Sequence, residues 1–372
     1  MRRIALILAL SALSSCLFSK KLTITGKGDL KLSQVEFTNL DNWENDDHKK
    51  ALLSFLHSCN KFSKSAPSRL IGGQIGNITA EDFRDVCEIA EVVKTMSNKQ
   101  AQNFFENWFR PFEVSTRFGN STGLFTGYYE ATLNGSKIKS EKYRYPLYAR
   151  PKDLNSEAYL SRADIESGAL KGKNLELLYV DDKVDLFFMH IQGSGRVKLE
   201  NGAEIRVGFA GRNNQPFTAI SNPMADRGYL KRENLNASTV RQWLKNNPDK
   251  ADEVMNINAA FTFFKISDGE YVVGGQGVPL TPERSLAVDS EIMPYGFPIW
   301  VATNSRKKDG SKDKYSHLFV TQDTGSAIKG TVRGDVFFGN GHDAEEKAFY
   351  MASQGKYYLL LPINIVDKMM KR

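Results

Sequence analysis

Two aspartates stand out by type and setting. Asp323 follows the apolar run Leu318-Phe319-Val320, and Asp335 precedes Val336-Phe337-Phe338. They are 12 residues apart, with glycines at 325, 330, 334, 339 and 341. A carboxylate at the edge of an apolar strand is partly desolvated. Desolvation disfavours its charged form and raises its pKa, as a general acid working near neutral pH requires. The glycines allow tight turns and close approach of backbone to a ligand. The local pattern alone is equally compatible with two Asp residues closing turns between strands.

Asp323-Thr-Gly-Ser-Ala-Ile-Lys329-Gly330, Asp335 and Phe338-Gly339-Asn-Gly341 resemble the aspartate-rich catalytic segment of the MltA family of membrane-bound lytic murein transglycosylases. Further matches are Phe125-Thr126-Gly127-Tyr128-Tyr129, Tyr145-Pro146-Leu147-Tyr148, Ile191-Gln192-Gly193-Ser194-Gly195, and Gly277 through Pro282 continuing from Arg284 to Asp289. They occur in family order over roughly two-thirds of the chain. The loop at Asn258-Ala259 departs from the family's more usual Asn-Pro pair, which leaves any ligand contact there unassigned.

The resemblance implies a mainly β fold with N-terminal helices, of mixed α+β class. Residues 16–130 and 268–372 would form a discontinuous double-psi β-barrel domain carrying the aspartates. Residues 131–267 would form an inserted β-domain, with a glycan cleft between the two. It implies non-hydrolytic cleavage of the β-1,4 bond from N-acetylmuramic acid to N-acetylglucosamine in peptidoglycan, with a 1,6-anhydro product. Asp335 would be the acid. Asp323 and Lys329 would support it, as an ion pair, with Asp343 and Asp289 as weaker supports and Arg333 turned to solvent. Thr126, Gly127, Tyr128, Tyr129, Gln192, Gly193 and Ser194 would bind sugar, facing the acid across the cleft. The alternatives are a hydrolase on the same barrel, with Asp323 or Asp343 activating water, and an anchored protein that only binds peptidoglycan.

The rest of the chain must position these groups. At 372 residues it is long enough for about two domains. Basic residues exceed acidic ones by 7, which suits a polyanionic partner. Lys137 to Lys152 interleaves basic residues with Tyr143, Tyr145 and Tyr148, a composition shared with single-strand nucleic-acid surfaces. An exported chain rarely meets nucleic acid, so that partner is set aside.

Export is expected from the N-terminus. Arg2-Arg3 precedes an apolar run, Ile4 to Leu13, too short to span a bilayer, and Leu13-Ser14-Ser15-Cys16 follows. That is the pattern of a bacterial lipoprotein signal over residues 1–15, with Cys16 lipidated; the alternative is a plain secretory signal cut near the same small residues. Leu17 rather than Asp favours the outer membrane, facing the periplasm, and a monomer is expected. Cys59 and Cys87 then remain, either as a disulfide or as two small buried residues. His48, His57, His190, His317 and His342 have no metal-ligand spacing, and neither metal nor cofactor is expected.

Local patterns place helices near Leu52–Leu56, after Thr79-Ala-Glu-Asp82, over Gln100–Phe109, around Trp243 and over Ala344–Met351. Strands are expected at Phe125–Ala131, Val184–Ile191, Ala260–Ile266, Ser285–Val288 and Tyr357–Leu361, with a glycine-rich loop from Gly208 to Gly211.

Overall fold

The computed structural model describes residues 22–155 and 157–371. The expected signal peptide and Cys16 lie outside the described residues.

Fourteen strands are described. In chain order they are β1 (Thr23–Thr25), β2 (Leu30–Gln34), β3 (Phe109–Thr116), β4 (Gly123–Ser136), β5 (Tyr145–Tyr148), β6 (Glu176–Val180) and β7 (Gly195–Leu199). The later ones are β8 (Glu204–Arg212), β9 (Thr262–Ser267), β10 (Ser285–Ala287), β11 (Pro298–Arg306), β12 (Lys312–Asp323), β13 (Arg333–Asn340) and β14 (Ala352–Pro362).

Six of them close a ring. β4 pairs β13, β13 pairs β10, β10 pairs β12, β12 pairs β11, β11 pairs β14, and β14 returns to β4. Two of these pairings, β4–β13 and β10–β12, are parallel. Closure removes free edges, and the interior is filled by side chains such as Phe125, Leu286, Val336 and Leu359, all fully buried.

β4 is unusually long and serves two sheets. Residues up to Glu130 pair within the ring. From Ala131 to Gly135 it pairs β7, and β7, β8 and β9 continue outward. β6 pairs the end of β4, and β5 pairs β6. One strand therefore fixes the second sheet to the barrel without a hinge loop at this crossing.

The N-terminal third packs helices on the barrel. His48–Ser63 starts at Asp47, whose side chain accepts from the Lys50 N–H. Asn98–Trp108 starts with a capping box between Ser97 and Gln100. Phe55, Phe104, Phe105 and Phe109 form one aromatic cluster, with Phe55 and Phe109 centroids 5.9 Å apart in edge geometry. Cys59 and Cys87 form a disulfide, with Cα atoms 5.4 Å apart. It joins His48–Ser63 to the helix Arg84–Val93.

Two local expectations are corrected. Lys183–Gln192 is a helix, not a strand. A short apolar run cannot be assigned by periodicity when every face is buried. Here Val184 and all residues from Leu186 to His190 are buried. The ends decide: Asp182 caps the start, and Gly193 at φ 82° closes the other end, a conformation that favours glycine. The Gly208–Gly211 stretch is the middle of β8, not a loop. Its pairing with β9 shifts register between Phe209 and Gly211, so the glycines mark a bulge.

Candidate active site

Barrel register brings the two aspartates together. Ala287 of β10 pairs with Asp323 on one side and with Asp335 on the other. Their Cα atoms are thus two strand spacings apart, about 10 Å. Asp335 also pairs with Thr126 of β4, and Phe337 with Tyr128. Thr126 and Tyr128 are two residues apart on one strand, so their side chains share a face. Between them, Gly127 has no room for a side chain: an added Cβ would stand 2.4 Å from the Phe338 ring.

The two carboxylates are held differently. Asp335 Oδ1 accepts from the Thr126 hydroxyl, and Oδ2 has no partner among the described residues. The Thr126 oxygen in turn accepts from Arg333 Nη2 at 2.8 Å. Asp323 takes three donors: the Tyr128 hydroxyl at 2.6 Å on Oδ2, and the Gly275 and Thr324 N–H groups, each at 2.8 Å, on Oδ1.

Burial raises the pKa of Asp335, against the opposing effects of Arg333 and the Thr126 hydroxyl. Burial also raises that of Asp323, with a further contribution from the Asp335 charge and opposition from its three donors. Desolvation and the adjacent aspartates push the Tyr128 phenol well up, so it stays a neutral donor. Two like charges in one dry site disfavour double ionisation. Hydrogen bonds to a carboxylate favour its ionised form, and Asp323 has three to Asp335's one. This difference in donors favours the ionised form of Asp323, while the Arg333 charge favours that of Asp335.

The expected supports divide. Asp289 is buried, and its Oδ2 accepts from the Gly330 N–H at 2.9 Å, which ties the loop between the aspartates to the barrel. Lys329 does not pair with Asp323. Its ammonium reaches Glu291 at 2.7 Å and Asp289 at 3.4 Å, because the loop carries it outward over that corner. Asp343 is excluded: its side chain is fully exposed at the start of the helix His342–Tyr350. Arg333 is buried, not turned to solvent. It donates to the Leu124 and Gly334 carbonyls and to Thr126, and makes no ion pair with Asp335 within 4.0 Å. Burial lowers its pKa, with partial compensation from Asp335.

A cleft of about 1380 Å³ opens over these residues. Thr126, Gly127 and Tyr128 line it beside the acid, not across from it. Gln192, Gly193 and Ser194 line it where the helix Lys183–Gln192 leads into β7, next to β4. Gln192 Oε1 accepts from the Tyr129 N–H at 3.0 Å, which pins the Gln192 end of its helix to β4. Tyr129 itself is not in the cleft. It faces the opposite side of β4, buried, with its hydroxyl donating to Glu345 and its ring edge-on to Phe349.

The motif reading missed several cleft residues. Glu130, at the crossing point of β4, is buried and ion-paired to Arg196 and Arg206. Phe209 and Tyr271 expose more than half their surface in the cleft, and offer flat faces of the kind a sugar ring stacks on. Gly275 supplies a backbone donor to Asp323 from outside every quoted motif except by proximity to Gly277. Among the described residues no cluster of His, Cys, Asp or Glu could hold a metal ion, and no helix is long and apolar enough to cross a membrane.

The family model described as the MltA specific insert domain matches residues 124–265, and the 3D domain model matches 284–361. Membrane-bound lytic murein transglycosylase A of Vibrio cholerae is 33% identical over 241 residues, which span 64% of this chain and 65% of that protein. The crystal structure of a membrane-bound lytic murein transglycosylase from Agrobacterium tumefaciens aligns at TM-score 0.81 and 31% identity, covering 91% of this chain and 99% of that one. MltA from Neisseria gonorrhoeae aligns at TM-score 0.74 and 32% identity, covering 92% and 94%. The mixed α+β architecture is the fold of these structures. By sequence, fold and the order of its two matched domains, this chain belongs to the membrane-bound lytic murein transglycosylase A family.

Proposed function

We propose that the cleft binds a peptidoglycan glycan strand and cleaves its β-1,4 bond after N-acetylmuramic acid without water. The single observation that carries this reading is the asymmetry of the two aspartates: one nearly bare, desolvated carboxyl beside a second carboxylate held by three donors. The names of the relatives support the same reading.

Ordinary glycosidases use two carboxylates, one as acid and one as base or nucleophile. Here one suffices. Asp335 gives its Oδ2 proton to the glycosidic oxygen as the bond from that oxygen to C1 breaks. The O6 hydroxyl of the same muramic residue attacks C1, and its proton passes to Asp335. The acid is restored, no water is consumed, and the product is a 1,6-anhydro sugar. An internal nucleophile held near C1 gains from proximity. Thr126 fixes the carboxyl rotamer, and Arg333 fixes Thr126. Asp323 acts by charge: it opposes ionisation of Asp335 and favours the positive charge that develops at C1. A hydrolase would need a free base, and Asp323 is occupied by its donors while Asp343 lies outside the cleft.

Residues 16–130 and 268–372 form the catalytic part in this reading, and 131–267 the opposing wall. A lipid on Cys16 would hold the enzyme at the envelope membrane, where its substrate lies. The test is digestion of purified peptidoglycan by protein starting at Leu17, with Asp335→Asn beside it and products read by mass spectrometry. Anhydro-ended muropeptides from the wild type and none from the variant are expected. Sacculus binding without products would make this a binding protein.

A further inference from the structure

The cleft holds more positive charge than its chemistry uses. Nine basic and five acidic side chains line it. Among the acids, Glu130 is neutralised by Arg196 and Arg206, and Asp323 and Asp335 belong to the reaction. Among the bases, Arg162, Arg206, Lys307 and Lys329 have carboxylate partners. Arg212, Lys265, Arg306 and Lys308 have none within 4.0 Å among the described residues, and the last three are exposed.

Their positions are opposed. Lys265 sits on β9, paired with Gly208 of β8, on the wall formed by the second sheet. Arg306 ends β11, and Lys308 lies in the turn that leads into β12, on the barrel side. Register ties that hairpin to the reaction centre. Thr303 of β11 donates to the Gln354 carbonyl of β14, and Ala352 at the start of β14 pairs with Thr126, the residue that holds Asp335. Both walls of the cleft thus carry cations without a carboxylate partner within 4.0 Å among the described residues, with Asp309 next to Lys308 in the same turn.

A neutral sugar backbone on the cleft floor gives these groups nothing to bind. Peptidoglycan differs from other β-1,4 glycans in the peptide stems that project sideways from alternate sugars and end in carboxylates. We propose that Lys265, Arg306 and Lys308 bind stem-peptide carboxylates, so that the protein selects strands that still carry their stems. This rests on the reading of the cleft as a peptidoglycan site and adds the feature of the substrate that the rims select.

The test uses the triple variant K265Q/R306Q/K308Q and two substrates: stem-bearing strands and the same strands stripped of stem charge by conversion of the stem carboxylates to neutral amides. Circular dichroism and thermal melting check that the variant folds. Exposed ion pairs each contribute little, so the variant's KM on stem-bearing strands should rise about 5- to 10-fold with kcat retained. The rise should be absent on stripped strands, and added salt should erode the wild type's advantage on stem-bearing ones. An unchanged KM, or an equal rise on both substrates, would overturn the inference while leaving the cleavage reading intact. Absence of anhydro products from the wild type on either substrate would instead overturn the cleavage reading beneath it.

Discussion

Asp323 and Asp335 are the same residue type, on the two barrel strands that flank β10, with Ala287 between them. Burial raises both pKa values. Their donors make them different: three for Asp323, one for Asp335. Desolvation alone produces two reluctant acids. Hydrogen bonding differs between them, and in the proposed mechanism that difference assigns the proton to Asp335.

The largest effect tests the acid directly. Asp335→Asn keeps the shape and removes the transferable proton. It should lower kcat about 10²- to 10⁴-fold, the usual contribution of general acid–base catalysis. Asp323→Asn removes a charge but no proton donor. Its kcat should fall about 10- to 100-fold. It should also move the high-pH limb of kcat to lower pH, because a neutral neighbour no longer opposes ionisation of Asp335. If both variants gave the same loss and the same pH profile, the asymmetry would have no catalytic meaning.

Thr126→Val probes the link between the strands. It removes the only donor to Asp335 among the described residues, and leaves Arg333 Nη2 without that acceptor. A loss of about 10-fold in kcat is expected, of the size set by an unsatisfied buried donor. The high-pH limb should move upward, opposite to its shift in Asp323→Asn. That opposition is measurable in two pH–rate series.

Stability shows the same contrast in smaller numbers. A carboxyl whose folded pKa is raised costs nothing at pH below its unfolded value, and destabilises the fold as pH rises through the folded value. Asp335→Asn should therefore melt about 1–3 °C above the wild type at pH 7, with the gap closing near pH 4. Far from the site, Cys59→Ser should cost about 2–4 kcal/mol of stability through loss of the disulfide, while kcat at 25 °C stays within about two-fold.

The motifs that carry Asp335, Thr126 and Tyr128 lie on strands whose pairing brings these stretches together. The errors share a physical source. Side chains two apart on a strand share a face, and adjacent ones do not. Applied to β13, that rule puts Arg333 on the face of Asp335; applied to β4, it turns Tyr129 away from Tyr128. Neither needed the structure. Other errors did. Lys329 finds Asp289 and Glu291 only through a loop path that sequence spacing does not encode. Asp343 looked like part of the acidic stretch, but the strand ends at Asn340 and a helix carries it into solvent. The helix Lys183–Gln192 was hidden because total burial erases the periodicity that would reveal it. Sequence alone leaves the disulfide as one of two readings; it forms because the helices carrying Cys59 and Cys87 bring their Cα atoms to 5.4 Å.

The central claim is that Asp335 acts alone, with no water entering the reaction. Digestion of peptidoglycan in water enriched with heavy oxygen tests it most directly. The account predicts anhydro-ended products with no heavy oxygen at the new muramic terminus. Reducing-end products that carry one heavy oxygen there would contradict it, and would require a second carboxylate to activate water.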